Sequence, residues 1–317
     1  MHMPVAGREA QMSLLLSKNI LTLFLITAAG FALVKTRMLK VDDSKPLSVI
    51  TLYVLIPCMI ISSFQVEMTD EVKQGFLVAL AGSLIAHVVL IAFTTLLKKP
   101  LKLDGVERAS IVCTNCGAFI VPLITMALGE EYAIYSVVYL AILNATLWTY
   151  GKTILQGKYE RNPRKLFFNL NMISIYVGLL LFFTGIKLPG PLQGAVSAAG
   201  SMTGPVTMIS IGMALAGVDR KELLALKRLP FASILRMLVL PLILLAIFKF
   251  TPLASLSPNG SMVLMIVLLG AAAPSACVIG QMAQVYGKDF FYASAISVTT
   301  LFLSIFTIPF LVFLYQL

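Results

Sequence analysis

Apolar runs close to the ~20 residues that cross a bilayer as a helix recur along the whole of this 317-residue chain. Short stretches rich in Lys and Arg separate them. The pattern predicts ten helical spans, at 14–34, 47–66, 75–97, 107–128, 132–153, 167–187, 194–217, 230–250, 261–285 and 290–315. The fourth, seventh and ninth carry Gly, Pro and small polar residues inside the apolar run.

Composition agrees with the pattern. Hydrophobic residues make up 59% of the chain and charged ones 12%, and the mean hydropathy is +0.94. A soluble domain carries about 25% charged residues. The reading is an all-α polytopic membrane protein with the lipid bilayer as its solvent. Its net charge of +10 does not point to nucleic acid, because the basic residues are spread over loops and form no single patch. Residues 1–13 have no apolar core of their own and read as a short tail, not a signal peptide.

Loop charge orients the spans. Lys35, Arg37, Lys40 and Lys45 follow the first, and Lys98, Lys99, Lys102 and Arg108 the third. Lys152, Lys158, Arg161, Arg164 and Lys165 follow the fifth, and Arg220, Lys221, Lys227 and Arg228 the seventh. The loops after spans two, four, six and eight offer only Lys73, none, Lys187 and Lys249. Odd-numbered loops are therefore expected in the cytoplasm of a cell-membrane protein, with both termini outside.

The chain also resembles itself at half its length. ALGEEYAIYS, from Ala127, aligns with VYGKDFFYAS, from Val285, at an offset of 158 residues that sets Ser136 on Ser294. Five spans per half is an odd number, so the second half enters the membrane inverted. The expected organisation is a first repeat over 14–155, a basic linker over 156–166 and a second repeat over 167–317. Inverted repeats are a transporter signature, and paired interrupted spans mark the binding site.

Those paired spans are the fourth and ninth. The fourth carries Thr114, Asn115, Cys116, Gly117 and Pro122; the ninth carries Gly270, Pro274, Ser275, Gly280 and Gln281. Proline removes an N–H and clashes with the preceding turn, and freed backbone groups persist in a membrane only inside protein or beside a wet cavity. Breaks at Pro122 and Pro274 that cross near mid-membrane would bring two half-helix N-termini together. Each carries about +0.5 of an elementary charge, which suits a carboxylate or another small anion. The plainer reading of each break is a proline kink of purely structural purpose.

Other residues narrow the chemistry. All fourteen Asp and Glu lie in the tail, loops or span ends, which disfavours a carboxylate-based ion antiporter. Arg236, two turns into span eight, reads first as snorkelling to the cytoplasmic face, with attraction of an anion as the sharper alternative. His87 in span three reads as packing or a hydrogen bond and not a proton relay. Cys113-x-x-Cys116 has the spacing of redox or zinc sites, but only His2 and His87 accompany it, and no second cysteine pair. Cys58 and Cys277 add no disulfide framework. No cofactor, metal or catalytic residue is expected.

TNCGAFIVPLITMALGEEY, ILNATLWTYGK, RMLVLPLI and AAAPSACVIGQMAQVYGKD together resemble the auxin efflux carrier family, the bacterial relatives of plant PIN auxin carriers. The resemblance extends from Met12 to the end. It implies two inverted five-helix repeats similar to bile-acid symporters and sodium/proton antiporters. It also implies a scaffold of helices 1, 2, 6 and 7, which often dimerises. A mobile transport domain of helices 3–5 and 8–10 would move as an elevator. By the resemblance, Asn115 is the broken-helix asparagine, and Pro122 and Pro274 are the crossing prolines. The 158 offset sets Pro274 on Cys116 and Gly280 on Pro122, so the crossing is pseudo-symmetric. The chain lacks the long hydrophilic loop of the plant carriers.

The expected function is a secondary transporter, in the export direction, of a small organic anion such as a carboxylate or auxin-like acid. Thr114, Asn115, Cys116, Gly117, Pro122, Pro274 and Ser275 would form the site. Asn144 and Gln281 stand second, as interhelical hydrogen-bond partners as much as ligands, and Tyr53 with Pro57 would face the site from the scaffold. The alternatives are a sodium- or proton-coupled symporter on the same fold, and a membrane sensor that transports nothing.

Overall fold

The computed structural model describes residues 21–22, 24–65, 70–128, 130–157, 168, 170–217 and 226–317. The expected tail, most of the basic linker, Gly129 of the repeat match and the loop cations Arg220 and Lys221 lie outside them.

The described residues are helical almost throughout. In chain order they form α1 (Phe24–Lys35) and α2 (Val41–Ser63), then α3 (Asp70–Leu96). A split helix follows: α4a (Gly105–Val112) and α4b (Cys116–Ile120 running on as Val121–Leu128). α5 is Glu130–Thr146 running on through Leu147–Gly151 and Lys152–Gln156. α6 is Leu170–Thr184, and α7a (Gly190–Ser201) precedes α7b (Thr203–Ala216). α8 is Leu229–Phe250. α9a (Gly260–Ala272) and α9b (Val278–Val285) form a second split helix, and α10 is Phe290–Gln316.

By length and composition, four of these helices are able to cross a membrane: Val41–Ser63, Gln74–Leu96, Leu229–Phe250 and Phe290–Gln316. α5 is long as well, through its π turn; the other expected spans are shorter for physical reasons. Two are split by non-helical residues, α7 bends at Met202, and others adjoin residues outside the description.

Proline acts differently from the sequence-based expectation. Three π turns, Thr51–Leu55, Cys116–Ile120 and Leu235–Val239, each end two residues before a proline: Pro57, Pro122 and Pro241. A proline ring collides with the carbonyl four residues earlier and offers no N–H. Widening the preceding turn relieves both, and the helix continues. Pro122 is therefore not a break; the helix runs through it to Leu128.

Two sets of helices pack among themselves and also meet each other, α9b on α2, α7b on α10 and α6 on α5. α3 lies against α5 and α9a, α4b lies against α5, and α10 lies against α4a, α8 and α9b. Leu90, Ile111, Leu123, Leu244, Val267 and Ile296 belong to the buried core these helices share. α2 lies against α6 and α7a, and α7b against the start of α2. α1 meets α7b at two glycines, Gly30 beside the Ile209 backbone and Gly212 beside that of Thr27, where any Cβ would collide. Such small-residue contacts let helices approach without a hydrophobic drive. Outward faces stay apolar: Val49, Tyr53 and Val54 on α2, and Tyr176, Leu180 and Phe183 on α6 are exposed. That is the surface of a protein solvated by lipid.

Candidate functional site

The two split helices meet at their gaps. Cys113 ends α4a in an extended conformation (φ −93°, ψ 128°), and Ala273 ends α9a likewise (φ −57°, ψ 155°). Pro274 accounts for the second, because the residue before a proline is driven out of the α region. The first gap has no proline. It is held open by its partner: Thr114 pairs with Ser275 as a short antiparallel bridge. The Asn115 N–H donates to the Pro274 carbonyl at 2.8 Å, and the Ala276 N–H to that of Cys113 at 2.9 Å. The Ser275 N–H donates to Thr300 Oγ1 at 3.0 Å. Backbone groups freed by the breaks are thus paired within protein, the condition for irregular chain in a bilayer.

After the bridge both chains re-enter helix. Asn115 is the N-cap of α4b and Cys277 of α9b, and neither caps its helix with its side chain. The Phe119 N–H bonds back to the Asn115 carbonyl at 3.1 Å. The N–H groups of the first turn of any helix have no carbonyl behind them within that helix. The two N-caps touch, Asn115 Nδ2 lying 3.5 Å from Cys277 Sγ, and stand 162 residues apart in sequence. The sequence offset of 158 therefore does not superpose the breaks.

A cavity of about 50 Å³ opens beside these N-termini, room for about three or four waters. Thr114, Asn115, Gly117, Asn144, Thr203, Thr207 and Cys277 bring its polar atoms, and Ile56, Met59, Leu140 and Leu143 are among its apolar walls. No acidic or basic side chain lines it.

The expected site residues divide accordingly. Thr114, Asn115, Gly117 and Asn144 line the cavity. Asn144 spends one amide bond on the Leu140 carbonyl of its own helix, at 2.9 Å. Ser275 and Pro274 form the bridge and do not line the cavity. Cys116 is buried, its Sγ 3.9 Å from the Ser136 carbonyl. Gln281 is buried and donates to Thr207 Oγ1 at 3.1 Å, which places it behind a lining residue. Pro122 sits within α4b, past the N-terminus. Tyr53 is 45% exposed and does not line this cavity; α2 reaches it through Ile56 and Met59, about one and two helical turns further on. Sequence reasoning missed Thr203 and Thr207, which begin α7b. The Thr-Gly-Pro-x-Thr run of that interrupted segment was the available signal.

Arg236 departs from the snorkelling expectation. It is 0% exposed, and its Nη2 donates to the Ala273 carbonyl at 2.6 Å. Facing inward toward α9 precludes a reach to the membrane surface. His87 follows the packing expectation: its Nδ1 lies 2.8 Å from the Ser83 carbonyl, and its ring packs 4.8 Å from that of Tyr139.

Among the described residues, one acid is fully buried at a span end. Glu107, third in α4a, accepts from Arg228 Nε at 2.6 Å and Nη2 at 2.9 Å, and from the Tyr292 hydroxyl at 2.9 Å. Asp104 and Glu107 cap α4a reciprocally. Burial pushes the Asp104 carboxyl up, against the capping bond from the Glu107 N–H, which lowers it. The hydrogen bonds to Glu107 hold Arg228 above its usual value. This network ties α4a to α8 and α10. A further cavity of about 430 Å³ lies beside it, where Lys98, Arg108 and Lys288 face Asp104 and Asp289. Both of those carboxylates are engaged as helix caps.

A family model described as membrane transport protein matches residues 15–163 and again 159–312. The chain belongs to that family, the auxin efflux carriers. Membership makes it an integral membrane transporter from a family of transporters, not of enzymes. No curated protein matches it. Cys113, Cys116 and Cys277 are buried and unbonded to one another.

Proposed function

We propose that this member is a secondary transporter that exports a small organic anion, and that it binds the anion's carboxylate at the crossing of α4 and α9. The observation that carries the reading is the meeting of two N-caps, Asn115 and Cys277, at a cavity without a charged side chain. The ends of α4b and α9b present backbone N–H groups and partial positive charge to it. Asn115 and Asn144 add amides, and Thr114, Thr203 and Thr207 hydroxyls. The cavity matches a carboxylate head in size, leaving the rest of the anion to extend along Met59, Leu140 and Leu143.

The same reading sets the ten expected spans as two inverted five-helix repeats. The two successive family matches and the two similar broken helices support that arrangement. It divides the molecule into a scaffold of α1, α2, α6 and α7 and a transport domain of α3–α5 and α8–α10. The packing sets described above favour an elevator movement of one against the other. The exposed apolar faces of α2 and α6 suit a homodimer through the scaffold. Odd-numbered loops face the cytoplasm and both termini the exterior.

Flux of labelled small carboxylates into proteoliposomes tests the reading. Saturable uptake that Asn115→Ala reduces supports it. Specific binding without flux of any carboxylate supports a sensor instead.

A further inference from the structure

Arg236 is a buried charge that the anion site does not use. It lies seven residues into α8, roughly 10 Å along the helix axis from Leu229. Its guanidinium is permanently charged, and no carboxylate is paired with it among the described residues. Nη2 holds the Ala273 carbonyl, while Nε and Nη1 have no hydrogen-bond partner among the described residues. An ionisable group so placed in a membrane protein is expensive and is a functional candidate by default.

Its surroundings say what offsets the charge. Ala273, whose carbonyl Arg236 holds, is the C-cap of α9a, and Cys113, the C-cap of α4a, is joined to the same gap through its carbonyl, which accepts from the Ala276 N–H. Each helix C-terminus carries about −0.5 of an elementary charge. Two of them at the bridged gaps sum to about one negative charge, which one guanidinium balances. The crossing thus has two electrical faces. Its N-termini face the cavity, and the C-terminus of α9a holds Arg236. In transporters with broken helices, C-terminal ends and unwound carbonyls are the groups that hold a coupling cation. Here a tethered cation already sits on such a carbonyl.

We propose that Arg236 is a resident cation standing where a coupling sodium ion would otherwise bind, so that transport needs no sodium and each anion carries its own charge across. The proposal rests on the anion-site reading for its consequence in transport. Its structural half, a cation place filled by the protein itself, stands apart and is tested without any substrate.

Thermal stability of the purified protein is measured in choline chloride and in sodium chloride at equal ionic strength. The unaltered protein is expected to show the same midpoint in both. Arg236→Gln keeps an amide donor for Ala273 but removes the charge, and is expected to gain a sodium-specific rise of several degrees. Arg236→Lys keeps the charge and is expected to remain indifferent to sodium. A sodium-specific rise in the unaltered protein overturns the proposal, as does a monodisperse Arg236→Gln protein that ignores sodium. If Arg236→Gln does not fold, the unaltered and Lys proteins decide: sodium-specific stabilisation of either overturns it, and indifference of both supports it. In proteoliposomes that show flux, an inward sodium gradient is expected to change the rate less than twofold, and a tenfold stimulation overturns it. Absence of flux with the stability results as expected faults the anion-site reading alone.

Discussion

Asn115 and Cys116 are neighbours in sequence with opposite fates. Asn115 stands at the N-cap position of α4b and lines the cavity, whereas the Cys116 thiol is buried against α5. Asn115→Ala removes an amide from the site while leaving the bridge, whose bonds are backbone, in place. A loss of tenfold or more in carboxylate flux is expected, with thermal stability little changed. Replacing Cys113 and Cys116 together by Ser is expected to leave flux within about threefold, which disposes of a redox role. Glu107→Gln strips the charge from a carboxylate that holds Arg228 and Tyr292. Breaking a buried pair costs about 3–5 kcal/mol, and because Arg228 is partly exposed the expected loss lies at or below the lower end. Denaturant unfolding in detergent measures it. At this scale the sequence was readable where chemistry is local. Thr114, Asn115 and Gly117 stand out because amide, hydroxyl and glycine are unusual in a lipid span. The burial of Arg236 was not readable, because hydropathy gives depth along a helix and not the face a side chain takes. Thr203 and Thr207 reach the cavity only through the tertiary approach of α7b.

Helices in this chain respond to proline in two ways, and the difference is set by the partner. Pro57, Pro122 and Pro241 follow π turns and the helix survives. Pro274 leaves its helix, because Ala273 is extended and both strands of the gap are paired. The ninth-span break was therefore legible from its proline. The fourth-span break was legible as existing but displaced, because its cause is a hydrogen-bonded partner far away in sequence. Close helix approach makes a second element-scale prediction. Gly212→Leu drives a side chain into the α1 backbone at Thr27. Overpacking costs typically 1–3 kcal/mol, and backbone contact places this substitution at the top of that range. A fall of several degrees in thermal midpoint is expected, while Gly185→Ala, with open space around it but a positive φ of 68°, is expected to fall by less.

Across the whole molecule, the two packing sets meet in several places near the crossing, Gln281 on Thr207 among them. Gln284 of α9b accepts from the Ser48 hydroxyl at 2.7 Å and donates to the Ser44 hydroxyl at 2.8 Å. A transport domain that slides past its scaffold must release this clasp in every cycle. Cysteines at Ser48 and Gln284, introduced after replacing the native thiols, are expected to arrest flux on oxidation and to restore it on reduction. Unchanged flux in the cross-linked protein contradicts the sliding. The all-helical membrane class was plain from apolar runs and sparse charge. Which helices move together was not, since that grouping resides in packing between distant segments. The central claim is narrower than the movement: the bridged N-termini hold a carboxylate. Its most direct measurement compares proteoliposome uptake of a labelled small carboxylate with that of its neutral amide, in the unaltered protein and in Asn115→Ala. The account predicts saturable uptake of the acid, little uptake of the amide, and a tenfold or greater loss in the variant. Equal uptake of acid and amide, or an Asn115→Ala protein that transports the acid unchanged, contradicts it.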